Sequence, residues 1–501
     1  MSLPTARQKL TDLIPGLVLF LCLTQPLLDV ISYWQREWEV SNTWTMILRL
    51  ILLVAGACLG FLLSDRKWVY CLLSALAALY LTGHIVACVT AQGGYRNWME
   101  DLTDQLRTVL LPITAVYTLT FLRKNKSALP TLLKGVAINL GIILLVELLS
   151  VITGTDPHTY EAKALGVRGW FIWTSPQSAI LSIGTPLAIA WSSQNWKNRI
   201  LPLTGICLGC FAMLFCFGTR LSIISLFAVG VGMSLVLLTG GKERRPQAAA
   251  VALCTILFLA LLPLSPMREN RAEMEINAKM KQERIDAALE AFDVPVGAKT
   301  TQNLEAIEAA YHYNLQGMMD HFGVERVARI YDYTLDANVI CDDRVMKTTF
   351  CRMLRQDASA MSRFFGLELA LTRQEDTQVY VFETDSWIRE QENYDPENDF
   401  NGVYDLCGWV GGTMLLLFLA AFGVRAAVAL IRDPKLLRQP VFSALLGAYC
   451  IALVYGYFTA SVLRRNNASV YFAWVLAALW YLSDVALKGR KENDQHYHSG
   501  L

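Results

Sequence analysis

Residues 200–239 read ILPLTGICLGCFAMLFCFGTRLSIISLFAVGVGMSLVLLT, and Arg220 is their only charged side chain. The stretch divides at Gly218-Thr219-Arg220 into two apolar runs, beginning near Ile200 and Leu221. Each matches the length of about 20 residues that a helix needs to cross a bilayer core. Runs of the same kind begin near Leu13, Trp44, Val69, Gln105, Thr131, Ser178, Ala248, Tyr404, Pro440 and Ser469, so about 12 transmembrane helices are expected.

Composition points the same way. The 501 residues are 54% hydrophobic and 17% charged, with a mean hydropathy of +0.36, whereas soluble domains carry about a quarter charged residues. The expected fold class is an all-α polytopic membrane protein. Lys plus Arg (44) nearly equals Asp plus Glu (43), which leaves no concentrated basic surface for nucleic acid. Nine cysteines (Cys22, Cys58, Cys71, Cys88, Cys207, Cys210, Cys216, Cys254 and Cys450) fall in apolar runs and read as small core hydrophobes. No ligand set stands out, so neither a metal nor a cofactor is expected.

The first run follows Arg7 and Lys9 as a signal peptide would, but it continues to about Tyr33 without a small-residue cleavage site and is kept as a helix. With the N-terminus inside, every inner loop is basic: Arg66 and Lys67; Arg123, Lys124, Lys126 and Lys134; Lys197 and Arg199; Lys242, Arg244 and Arg245; Arg432, Lys435 and Arg438; Lys488, Arg490 and Lys491. The short outer loops carry fewer cations, so the positive-inside rule puts both termini in the cytoplasm. One connection, 266–403, is charged and polar throughout and is expected to be a large, mainly helical extracytoplasmic domain between spans 9 and 10. The domain reading is therefore membrane helices 1–9 over 1–265, the outer domain, helices 10–12 over 404–487, and a cytoplasmic tail over 488–501. Within the outer domain, helices are expected over 268–292 and 301–322 with a turn between them. Cys341 and Cys351 there would need an intervening turn to form a disulfide, because ten helical residues separate them by about 15 Å.

Four segments carry a resemblance. The first is Gly166-Val167-Arg168-Gly169-Trp170-Phe171, running into Ser175-Pro176-Gln177-Ser178; the second is Gly218-Thr219-Arg220-Leu221-Ser222. The third is Glu397-Asn398-Asp399-Phe400 with LCGWVGG over 406–412, and the fourth is SVLRRNNAS over 461–469. In their order and their common side of the membrane they resemble the O-antigen ligase and polymerase family, polytopic bacterial enzymes that join lipid-carried glycans outside the cell membrane. The resemblance implies a polyprenyl-diphosphate-linked glycan donor and a glycan or envelope acceptor. There is one departure: many O-antigen ligases place a catalytic His-Asn pair where this chain has Glu397 to Asp399, and none of its six histidines fits that slot.

Such a transfer must stabilise a diphosphate leaving group and remove a proton from an acceptor hydroxyl. Arg168 and Arg220 are the candidates for the first task, since guanidinium grips phosphate oxygens bidentately; each could equally be an anchor at the interface. Arg464 and Arg465 either add to that charge or hold helix ends. Glu397 and Asp399 are candidate bases, or else caps for the helix that follows. Asp29 and Arg49, both inside spans, are read as a structural charge pair. Glu147 is placed to orient Arg168, and Asp484 is read as a solvated helix end. A flippase or transporter of lipid-linked sugars, or a non-catalytic assembly scaffold, is the alternative.

Overall fold

The apolar runs become helices because a chain in lipid must satisfy its own backbone polar groups. In the computed structural model, which describes residues 6–41, 43–91, 94–195, 200–291, 318–331, 343–368, 378–383, 386–391 and 397–498, they form α1 (Ala6–Glu37), α2 (Thr43–Leu63), α3 (Lys67–Thr90), α4 (Trp98–Lys124), α5 (Ala128–Ile152), α6 (Thr174–Asn195), α7 (Ile200–Phe217), α8 (Arg220–Thr239) and α9 (Arg245–Leu261). Charged α10 (Pro266–Ala291) follows, then short α11 (Val324–Tyr331), α12 (Asp343–Asp357) and α13 (Ala360–Phe365). The last helices are α14 (Asp399–Arg432), α15 (Pro440–Thr459) and α16 (Asn466–His498). Among the described residues, one antiparallel strand pair, β1 (Gln378–Glu383) with β2 (Ser386–Gln391), interrupts the otherwise helical order. Cys341, Lys197, Arg199 and most of the 301–322 stretch lie outside the described residues.

Among the described residues, eleven helical stretches are long and apolar enough to cross a membrane. The chain is a polytopic, nearly all-helical membrane protein. α6 is not among the eleven, and its surroundings give the reason. Every residue from 176 to 190 is buried, and the helix packs against α5, α7, α8, α15 and α16. A helix enclosed by other helices does not meet lipid and can carry polar side chains, provided its neighbours satisfy them. Ser178 and Ser182 both bond the Tyr455 hydroxyl, at 2.7 and 2.8 Å. α2 is the opposite case, with Trp44, Ile47, Ile51 and Val54 forming an exposed apolar stripe at helical spacing.

Two compact units divide the chain: Met1–Ala78, Leu106–Arg268 and Met414–Leu501 form the first, and Leu79–Gln105 with Glu269–Thr413 form the second. In the first unit the two ends of the antiparallel helices differ in character. At one end Asp65 takes ion pairs from Arg7 and Lys124, and Asp484 takes them from Arg123 and Arg425, all at 2.5–2.8 Å. Asp484 is thus a knot joining α4, α14 and α16 instead of a solvated helix end. Between the ends, Asn139 donates to the Cys22 carbonyl at 2.9 Å and the Tyr471 hydroxyl at 3.0 Å, tying α5 to α1 and α16.

In the second unit the first turns of α14 pack backbone to backbone against the end of α13. Gly408 breaks the helix with φ 63° and ψ −169°, and a Cβ there would meet the Phe364 carbonyl and the Gly366 amide. Gly366 is under the same constraint from Leu406. Beside the kink, the Leu406 carbonyl accepts from Gln105 Nε2 at 2.9 Å.

Candidate functional site

At the other end of the first unit, five arginines converge from four separate parts of the chain. Arg36 is in the last turn of α1, Arg49 in α2, Arg107 in α4, and Arg464 and Arg465 lie in the connection before α16. They line a cavity of about 480 Å³, with Asp29 the one carboxylate among its lining residues. That volume lies within the range of roughly 300–1,000 Å³ usual for ligand sites. The lining is thus richer in cations than in carboxylates.

The α15–α16 connection delivers Arg464 and Arg465 because it is a tight, buried turn. Ala460 ends α15 in the left-handed region at φ 47°, and residues 461–464 are buried. The Ser469 hydroxyl donates to the Val462 carbonyl, and the Ser469 amide donates to that of Arg465. Arg464 is itself only 8% exposed, while the Arg465 guanidinium stacks 4.9 Å from the Trp173 ring. Beside them, the buried Oδ1 of Asn466 has no hydrogen-bond partner among the described residues. It is a polar atom left for a ligand or water to satisfy.

The facing wall is the connection between α5 and α6, which contributes Phe171, Ile172 and Trp173. Asp156 organises it: its Oδ1 accepts from the Ser150 hydroxyl and from the amides of Arg168 and Gly169 at 3.1, 3.2 and 2.7 Å. Tryptophans collect at this end as well. Trp34 stacks on Trp38 and Trp170, and Trp38, Trp44 and Trp173 are exposed. Such a collar is the usual mark of a membrane–water boundary.

Asp29 Oδ1 lies 2.7 Å from Arg49 Nη2, with each side chain 12% exposed. Removing one partner of a buried pair strands the other charge and costs about 3–5 kcal/mol. Asp29→Asn is therefore expected to lower the thermal midpoint of the purified chain clearly, while the double variant Asp29→Asn/Arg49→Gln recovers most of it. Equal loss in the single and double variants would show that the pair does not act as a unit.

The matched family model, described as O-antigen ligase like membrane protein, covers residues 11–306. The chain belongs to that family. A search among curated proteins found no match. This ligase-like chain is accordingly a multi-pass membrane protein of cell-surface polysaccharide assembly, working on glycans in a lipid bilayer. The matched residues include the segments around Arg168 and Arg220 and end before those around Glu397 and Arg464.

Among the residues singled out from sequence, Arg464, Arg465 and the Asp29–Arg49 pair line the cavity of the ligase-like chain and Arg168 and Arg220 do not. Arg168 is 5% exposed, and its guanidinium donates to Glu161 at 2.6 Å and to the Thr174 hydroxyl at 3.3 Å. Its ion pair is with Glu161, from a short turn within the same connection, and not with Glu147, which the sequence reading placed beside it. Glu147 is instead 4% exposed, with an Oε1 that has no partner among the described residues. Arg220 is exposed in the first turn of α8, whose N-cap is Thr219.

Glu397 and Asp399 belong to the second unit. Glu397 is exposed and Asp399 wholly buried. Asn398, between them, caps α14: its Oδ1 accepts from the Asn401 amide at 3.0 Å. Arg36, Arg107 and Asp156 were missed from sequence. Arg107 had a signal, since it is a cation inside the fourth apolar run and charges inside spans are functional by default.

Proposed function

We propose that this chain transfers a glycan from a polyprenyl-diphosphate carrier to a surface acceptor or a growing chain, at the outer face of a bacterial cell membrane, with both termini cytoplasmic. The observation that carries the reading is the cavity of five arginines beside a tryptophan collar. A lipid-anchored diphosphate sits at the level of such a collar, and preorganised guanidinium groups stabilise the charge that develops as the glycosidic bond to phosphate breaks. We assign the grip on the diphosphate to Arg464 and Arg465, supported by Arg36 and Arg107. Arg168, committed to Glu161, positions the wall that bears Trp173. Arg220 stays in the proposal as an outlying cation. The acceptor proton goes to a carboxylate of the Glu397 to Asp399 segment, a role that rests on chemistry and on the family resemblance.

The transporter alternative has less support. Carriers gather their charges near the middle of broken helices, whereas these arginines gather at one end. A deletion strain separates the readings. Lost transfer leaves the lipid-linked glycan on the outer leaflet, where an impermeant glycosidase reaches it, and a lost flippase leaves it inside and protected. Protection of the accumulated glycan would overturn the proposal.

A further inference from the structure

Within the second unit, and outside the arginine cavity, three side chains of metal-ligating type converge. His84 and Cys88 are four residues apart on α3, so they lie on one helix face a turn apart. Asp101 comes from the first turn of α4. All three are buried, at 0, 2 and 0% exposure, and their ligand atoms lie within 4.8 Å of one another. Three unlike polar groups this deep need a shared reason.

The hydrogen bonds around them set the protonation pattern. His84 Nδ1 is 2.8 Å from the Phe365 carbonyl, which can only accept, so Nδ1 carries a proton. The Gln105 amide nitrogen, which gives one N–H to the Leu406 carbonyl, lies 3.1 Å from His84 Nε2, as fits a lone pair there. That orientation of Gln105 is held by the Tyr80 hydroxyl, 2.6 Å from Oε1. Yet Asp101 Oδ2 is 2.7 Å from the same Nε2, and Cys88 Sγ is 3.5 Å from it. A positive centre, a shared proton or a metal ion, therefore belongs between these groups.

We propose that His84 Nε2, Cys88 Sγ and an Asp101 oxygen bind one divalent transition-metal ion, with zinc the best fit. A mixed nitrogen, sulfur and oxygen set suits zinc and its first-row neighbours, and excludes magnesium and calcium, which take oxygen. Tetrahedral bonds to zinc hold adjacent ligand atoms roughly 3.3–3.6 Å apart; the sulfur–nitrogen spacing of 3.5 Å already meets this, and the nitrogen–oxygen pair, at 2.7 Å, has to open by roughly 0.6 Å or more. A neutral imidazole, a thiolate and a carboxylate together carry the charge that cancels a divalent ion. The outer contacts are those of a metal site too: Nδ1–H on a backbone carbonyl fixes the ring, and the Tyr95 hydroxyl, 2.5 Å from Asp101 Oδ2, fixes the carboxylate. The ion would clamp α3 to the start of α4, and three protein ligands leave one position open.

The test uses the full chain, carrying a tag without histidines, expressed in medium supplemented with cobalt and purified in detergent. The expected result is about one cobalt per chain, with a thiolate-to-cobalt absorption band in the near ultraviolet. Cys88→Ser should abolish the band and lower the metal content at least about tenfold, whereas Cys58→Ser, at an exposed thiol, keeps both. If Cys88→Ser does not yield dispersed protein, the wild type decides alone: chelation should bleach the band and lower the thermal midpoint, and added zinc should restore the midpoint. Wild-type protein that holds no cobalt after expression and after incubation with the ion, or a band that survives Cys88→Ser, would overturn the proposal in favour of a His–Asp hydrogen bond alone.

Discussion

Arg464→Lys and Arg465→Lys should each slow glycan transfer by on the order of 10²-fold, the size of effect seen when one preorganised donor to a developing anion is lost. Lysine keeps the charge but not the planar fork that meets two phosphate oxygens at once. Arg465→Lys also loses the guanidinium that stacks on Trp173. The readout is transfer in vitro from a lipid-linked donor by protein in nanodiscs, with folding checked by thermal midpoint. Arg220→Lys is the comparison, because Arg220 lies outside the cavity lining; a loss there as large as at Arg464 would move the diphosphate towards α8. Rates within about twofold of wild type for both Arg464→Lys and Arg465→Lys would remove the cavity from the chemistry, since even one donor is worth far more.

The amide variants Glu397→Gln and Asp399→Asn carry the second large effect. General-base catalysis is worth roughly 10² to 10⁴ in rate, and an amide cannot accept the proton. One of the two variants should therefore lose transfer by that factor while donor binding is unchanged. Asn398 caps α14, and the loss of a cap costs only about 1 kcal/mol, so a loss of this size would not be explained by a frayed helix. Full rates in both variants would leave the arginines to act by electrostatics alone and would place the base elsewhere. Asn398→Ala gives the pure capping effect, about 1 kcal/mol of stability without a change in mechanism.

The spans were legible in the sequence because lipid imposes long apolar runs, and α6 was found as a run even though its serines and threonines make it less apolar than the others. Its central position was not legible, since burial among other helices leaves no local signature beyond that polarity. Arg464 and Arg465 were visible through their motif. Arg36 and Arg107 join them only in three dimensions, from helices far apart in sequence. The expected Glu147–Arg168 contact did not form because the connection folds back on itself and presents Glu161 first, while Asp156 holds the backbone of Arg168. Similarly, His84 and Cys88 form neither a CxxC pair nor a histidine cluster in sequence, and Asp101, the third member of their group, lies on the next helix.

Recognition of a lipid-borne diphosphate by the arginine cavity is what the proposed function requires. It is tested most directly by the affinity of the purified chain in nanodiscs for two donors that share one glycan and one polyprenyl tail and differ only in carrying a diphosphate or a monophosphate. The diphosphate donor should bind at least about tenfold more tightly, a difference of about 1.4 kcal/mol, and the preference should disappear in the Arg464→Lys/Arg465→Lys double variant. Equal affinity for the two donors, or a preference that survives the double variant, would contradict it.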